Sequence, residues 1–194
     1  MKIILPLSFF AIVLFSCNNA QQAVTVATEK EAVPKPQSFF PVTSYLKGEI
    51  YNLKKSGVNP LKFTTVNNHT DSAWLKIEDL DAAVQEFLQP EIDSANLITL
   101  FNEKSFLDQS INAITLTYDP SVPLPDTMQL KHWDVYINPE TNKVKRIYMV
   151  KEIGKNKTLQ LTWVNNKWCK ILSIVTDENG VSKIEKEDRL TWDF

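Results

Sequence analysis

Residues 128–192 read MQLKHWDVYINPETNKVKRIYMVKEIGKNKTLQLTWVNNKWCKILSIVTDENGVSKIEKEDRLTW. Five segments in this stretch are rich in β-branched and aromatic residues and largely alternate apolar with polar: Met128–Ile137, Lys143–Lys151, Thr158–Val164, Trp168–Thr176 and Lys183–Trp192. That is the pattern of strands. Between them stand Asn-Pro-Glu-Thr-Asn, Ile-Gly-Lys-Asn-Lys, Asn-Asn-Lys and Asp-Glu-Asn-Gly, all short and all turn formers. Connections this short cannot hold a crossover, so neighbouring strands run antiparallel and a meander of about five strands is expected. Alternation assigns the faces. Trp133, Val135, Ile137, Ile147, Met149, Leu159, Leu161, Trp163, Cys169, Ile171 and Val175 share one side and are expected to pack on helices. His132, Asp134, Tyr136, Arg146, Tyr148, Gln160, Thr162, Trp168 and Lys170 share the other, which is polar but aromatic-rich. A bulge in the first hairpin would exchange one strand's set.

Upstream the periodicity changes. Pro41 suits the first position of a helix, and Val42, Tyr45, Leu46, Ile50 and Leu53 follow at helical spacing, with Lys54, Lys55 and then Gly57 marking its end. Leu61–Val66 reads as a strand and 67–71 as a loop. Asp79–Leu88 reads as a second helix, stopped by Pro90. Residues 96–101 and 113–118 read as strands. The expected fold class is α+β: N-terminal helices packed on a C-terminal antiparallel meander of about five strands.

The N-terminus carries a different signal. Ile3–Phe15 is an apolar run, too short for a membrane-spanning helix, which needs about 20 residues, but suited to the apolar region of a secretory signal. It ends in Leu14-Phe15-Ser16-Cys17, which resembles the lipobox of bacterial lipoproteins: an aliphatic residue, a tolerant position, a small residue, then cysteine. Phe15 is bulkier than the usual occupant of the tolerant position. The resemblance covers the first 17 residues. It implies a signal peptide at 1–16, cleavage before Cys17, and diacylglyceryl (palmitate-type) lipidation of Cys17 with acylation of the new amino group. Two or three acyl chains hold a protein to a membrane stably, whereas one does so marginally. Residues 17–38 then read as lipidated cysteine and flexible tether, with Pro34 and Pro36 favouring extended backbone. Residues 39–194 read as a single globular domain. With 19 lysines against two arginines and abundant asparagine and isoleucine, the chain resembles the small uncharacterised envelope lipoproteins of the Bacteroidota. The resemblance implies a lipid-anchored protein of the cell envelope. Asn18, in place of the aspartate linked to inner-membrane retention, implies the outer membrane, and the lack of the Lys- and acid-rich stretch that follows the cysteine in some surface-exported lipoproteins implies the periplasmic side.

Composition narrows the chemistry. Four glycines leave little for phosphate-cradling loops, and two histidines cannot build a multi-histidine metal centre. A net charge of −2 gives no global nucleic-acid signature. No nucleophile elbow, phosphate loop, dinucleotide fingerprint or zinc-protease motif occurs. With Cys17 lipidated, Cys169 stands alone inside a strand and reads as a core thiol. His69 with Asp71 reads as a loop pair. Glu78, Asp79 and Asp81 read as acids complementing a helix dipole. Charge is uneven: 143–157 is basic and 71–93 acidic. No catalytic residue, metal ligand or cofactor is expected.

These readings point to a non-catalytic binding or envelope-interaction module. Its partners are the membrane, through the lipid on Cys17, and an envelope protein or apolar ligand, with no nucleic acid. One alternative is a periplasmic carrier of lipid or another apolar ligand. The other is an envelope hydrolase of unfamiliar type. The candidate binding surface is Tyr136, Arg146, Tyr148, Trp168 and Lys170, because aromatics with arginine dominate binding hot spots and the two cations favour an acidic partner.

Overall fold

The structure is a computed structural model and describes residues 38–193. The signal segment, Cys17 and the tether up to residue 37 lie outside the described residues.

The chain enters on α1 (Val42–Ser56), which buries Val42, Leu46, Ile50 and Leu53 along one stripe. Each aliphatic side chain so buried stabilises the fold by about 1.5–3 kcal/mol. Gly57 ends the helix in the left-handed conformation (φ 71°), and its N–H reaches the Lys54 carbonyl at 3.2 Å. A residue with a Cβ adopts that conformation at a cost, so the glycine is the stop that the spacing predicts. Strands β1 (Leu61–Val66) and β2 (His69–Trp74) follow. A short helix α2 (Leu80–Val84) comes next, continued by a 3-10 turn at Gln85–Leu88; together they bury Leu80, Val84 and Phe87.

The rest is sheet: β3 (Phe101–Asp108), β4 (Ala113–Pro120), β5 (Leu130–Ile137), β6 (Val144–Ile153), β7 (Lys157–Val164), β8 (Trp168–Thr176) and β9 (Ser182–Thr191). All nine strands form one antiparallel sheet in the order β2-β1-β9-β8-β7-β6-β5-β4-β3.

This corrects the expected fold class. The molecule is not a helical N-terminal layer on a five-strand meander; a nine-stranded antiparallel sheet dominates it, with one long helix and one short one. The five expected strands occur as β5–β9, within two residues of the expected ends. Both outer edges of that group are then paired. β9 takes the β1–β2 hairpin and β5 takes the β4–β3 hairpin. An exposed edge presents a row of unpaired N–H and C=O groups, and recruiting a hairpin on each side satisfies them. Residues 67–71, expected to be a loop, hold instead a two-residue turn at Asn67 and Asn68 (φ 49° and 65°) and the first residues of β2. Two successive positive φ values are what a twist-matched hairpin turn requires, and asparagine tolerates them. Residues 96–100 are turns, and β3 begins only at Phe101.

The core lies between the sheet and the helices. Trp133 is its centre: its ring stacks on Tyr118 (4.5 Å, 8°) and meets Phe101 (4.7 Å) and Phe39 (6.1 Å) edge-on. Trp163 meets Phe87 at 5.5 Å. The register of β5 and β6 shifts at Leu130/His132 and at Tyr136/Ile137, yet Trp133 and Val135 stay on the helix side with Met149 and Ile147. Cys169 is buried there too, and burial pushes its thiol far above the ordinary range, as befits a core thiol. Lys151 also points to this side. Its side chain is 1% exposed, and its ammonium pairs with the Glu86 carboxylate on the turn after α2.

Candidate functional site

The two helices bury their stripes on one side of the sheet. The other side carries the candidate surface, and the ladders place it row by row. Asp134, Tyr148, Thr162, Lys170 and Arg189 stand opposite one another across β5 to β9. Tyr136, Arg146, Val164, Trp168 and Thr191 form the adjoining row. All five candidate residues therefore share one face, as alternation assigned them, and all five are half-buried. Within it they fall into two groups. Tyr136, Arg146 and Tyr148 line a shallow depression of about 290 Å³ with Asp134 and Thr162. Trp168 and Lys170 sit on β8, two strands from Tyr148, and are engaged by β9: Arg189 lies over the Trp168 ring at 5.0 Å, and Lys170 approaches Glu187 at 3.6 Å.

The first group is built on a charged cluster. His132 lies between two carboxylates, with Nδ1 at 2.9 Å from Asp119 and Nε2 at 3.1 Å from Asp134. Asp134 also accepts from the Thr117 hydroxyl at 2.7 Å and from the Tyr136 hydroxyl at 3.1 Å. Tyr136 thus has its hydroxyl tied down, and its ring carries the Arg146 guanidinium at 3.9 Å from the centroid. Stacked cation and ring hold each other in place. The Nε–H of Arg146 is buried without a partner, and Arg146 forms no ion pair with a carboxylate among the described residues.

Both ring nitrogens of His132 are occupied by carboxylates, and Thr117 donates to Asp134 rather than to the imidazole. A general base needs a free nitrogen beside a nucleophile; this arrangement is an electrostatic clamp. Sequence reasoning placed His132 and Asp134 on the face but missed Thr117 and Asp119. The signal was present in 113–118, where Thr115 and Thr117 alternate with Ile114 and Leu116. His69 stands apart on β2, exposed, 3.3 Å from the equally exposed Asp71. Among the described residues no group of three or more His, Cys, Asp or Glu is placed to hold a metal ion. The basic stretch 143–157 is dispersed: Lys145 donates to the Ile111 carbonyl at 2.8 Å, Lys157 pairs with Glu185 at 2.7 Å, and Lys151 is interior.

The cluster has a definite pH signature. The Asp134 hydrogen bond, foremost, raises the His132 pKa against the opposing effect of burial, and Asp119 adds to the rise. Asp119 is lowered mainly by the His132 hydrogen bond. Burial would raise Asp134, but His132 and Thr117 outweigh it and the net shift is downward. A raised histidine stabilises fully below its unfolded pKa of about 6.5 and loses that contribution as pH climbs through the folded value. Lowered carboxylates stabilise above about 3.9 and lose their contribution as pH falls. The two overlap from about pH 4 to 6.5, where the clamp contributes most. His132→Gln is therefore expected to lose more stability at about pH 5.5 than at about pH 8.5, read from urea midpoints. Equal losses at both would show that no imidazolium is held there.

No protein-family model matches this chain, and neither a curated protein nor a solved structure does.

Proposed function

We infer that the protein is a lipid-anchored envelope lipoprotein, held at the outer membrane through Cys17, whose sheet face opposite α1 and α2 docks an acidic partner. The anchor reading rests on Leu14-Phe15-Ser16-Cys17 after an apolar run. No helix among the described residues is long and apolar enough to cross a membrane. The docking reading is carried by Arg146: a guanidinium fixed on Tyr136, with a buried unpartnered N–H, beside half-buried Tyr148. A guanidinium held in place by a ring and without an ion pair among the described residues gains a charge-assisted pairing through its terminal N–H groups when a carboxylate arrives. Docking is favoured over carriage of an apolar ligand because Trp133, Trp163, Phe87 and Phe101 fill the space between sheet and helices.

Two linked experiments test this. Fatty-acid labelling should mark the wild type and not Cys17→Ser; equal labelling ends the anchor reading. Photo-reactive residues at positions 148 and 168 should capture a defined protein in the intact envelope, one at the exposed Val181 should not, and Arg146→Ala should abolish capture. Capture that persists in Arg146→Ala, or is equal from Val181, contradicts docking on this face.

A further inference from the structure

A second site lies on the helix side and shares no residue with the open face. On α1, Tyr45, Glu49, Asn52 and Ser56 follow at intervals of four, three and four residues, a polar stripe beside the buried one. The stripe faces two adjoining depressions of about 480 and 240 Å³ that have Glu49, Asn52 and Asn166 in common. The smaller includes Trp163 and Trp192; the larger includes Phe40, Tyr45 and Asn165.

The polar atoms of this cleft are unusually short of partners. Six buried side-chain polar atoms lack a hydrogen bond among the described residues, and three of them belong to its lining: the Tyr45 hydroxyl, the Trp163 indole N–H and the Asn165 carbonyl oxygen. An unmet buried group costs about 1–3 kcal/mol, so three gathered in one cleft mark a place where a hydrogen-bonding ligand would be gained. Burial raises the Glu49 carboxyl. Burial, with the Glu49 charge second, raises the Tyr45 hydroxyl. Both are poorly hydrated acceptor or donor groups close to one another.

We propose that this cleft binds a neutral sugar residue of an oligosaccharide. The unmet groups are a pure donor (Trp163), a pure acceptor (the Asn165 oxygen) and a group that can do either (Tyr45), and the Glu49 carboxyl lines the same cleft. A ligand that meets them all must donate and accept within one small unit, as vicinal hydroxyls do. The aromatic walls at Phe40 and Trp192 offer flat apolar surface for the C–H face of a sugar ring. Glu49 and Lys143 give the lining one charge of each sign, so it selects no net charge in its ligand, and a wholly apolar ligand would leave the polar groups unmet. A cleft of this size suits a small ligand, for which about 300–1,000 Å³ is usual.

The test uses the full-length chain and three probes: chitotriose, cellotriose and maltotriose. The readout is the Trp163 indole N–H resonance in a proton–nitrogen correlation spectrum. At least one trisaccharide should shift it saturably at millimolar concentration or below. Glu49→Gln and Asn52→Ala should each weaken that binding by about tenfold, the loss of one good hydrogen bond. Asn52 is exposed and its side chain has no hydrogen-bond partner among the described residues, so its variant folds even if the Glu49 variant does not. No shift with any of the three would mean a merely hydrated cleft and overturn the proposal. So would a shift unaffected in Asn52→Ala.

Discussion

Trp133→Ala is expected to cost the domain about 3–5 kcal/mol, the range for truncating a fully buried large aromatic. Its ring is stacked on Tyr118 and held edge-on by Phe101 and Phe39, so its removal unsupports three other rings at once. Those three come from separate places: β3, β4 and the segment entering α1. The cavity left between a sheet and a helix entry cannot close without moving the backbone of one of them. Urea unfolding should show the midpoint falling sharply with little change in slope. A loss under about 1 kcal/mol would mean that the four rings do not form the centre of the core.

Lys151 supplies the second large effect. Its stem lies between Leu130 and Leu159 on the helix side, and its ammonium ends at the Glu86 carboxylate and, at 3.1 Å, the Glu86 carbonyl. Glu86→Ala removes the one countercharge that the described residues place on a cation whose side chain is 1% exposed. Breaking a buried pair from one side costs about 3–5 kcal/mol; because Glu86 is half-exposed and water can approach, about 2–3 is expected here. Lys151→Met keeps the stem and removes the charge, and is expected to be neutral or stabilising by up to about 1 kcal/mol. Denaturation midpoints of the two variants decide it. If Lys151→Met is as damaging as Glu86→Ala, the pair stabilises the fold by itself, and the desolvation argument is wrong.

What could be read from the sequence follows the distribution of burial. Strands β5 to β8 have one face in the core, so their side chains alternate, and both their extents and their faces were legible. The stripe of α1 and the stop at Gly57 were legible for the same reason. Strand β2 is exposed at every position, and β3 is mostly so beyond Phe101. Edge strands exposed on both faces carry no period-2 pattern, and HTDSAW or FNEKSFLD reads as loop until a neighbour's backbone pairs with it. The Asn67-Asn68 pair was the one local hint of the first hairpin. Of the candidate site, the residues of the face were legible, but not the contacts between them. That Asp119 joins Asp134 around His132 depends on the β4–β5 register, which no local pattern specifies. Tyr45 reads in the sequence as part of the apolar stripe of α1, and its polar neighbours Glu49, Asn52 and Ser56 drew no reading. The unmet hydrogen bonds of the cleft appear only when Trp163 and Asn165 are brought beside them.

On the proposed function, one face of the sheet is core and the other is presented for binding. The most direct measurement is the unfolding free energy of the double variant Tyr148→Ala with Trp168→Ala. Both residues are half-buried on the face opposite α1 and α2, where cross-strand neighbours contribute about 0.2–1 kcal/mol each. A combined loss under about 2 kcal/mol is expected, with binding abolished and the fold intact. A combined loss above about 5 kcal/mol, the scale of two core aromatics, would contradict it: that face would then be interior and not a docking surface.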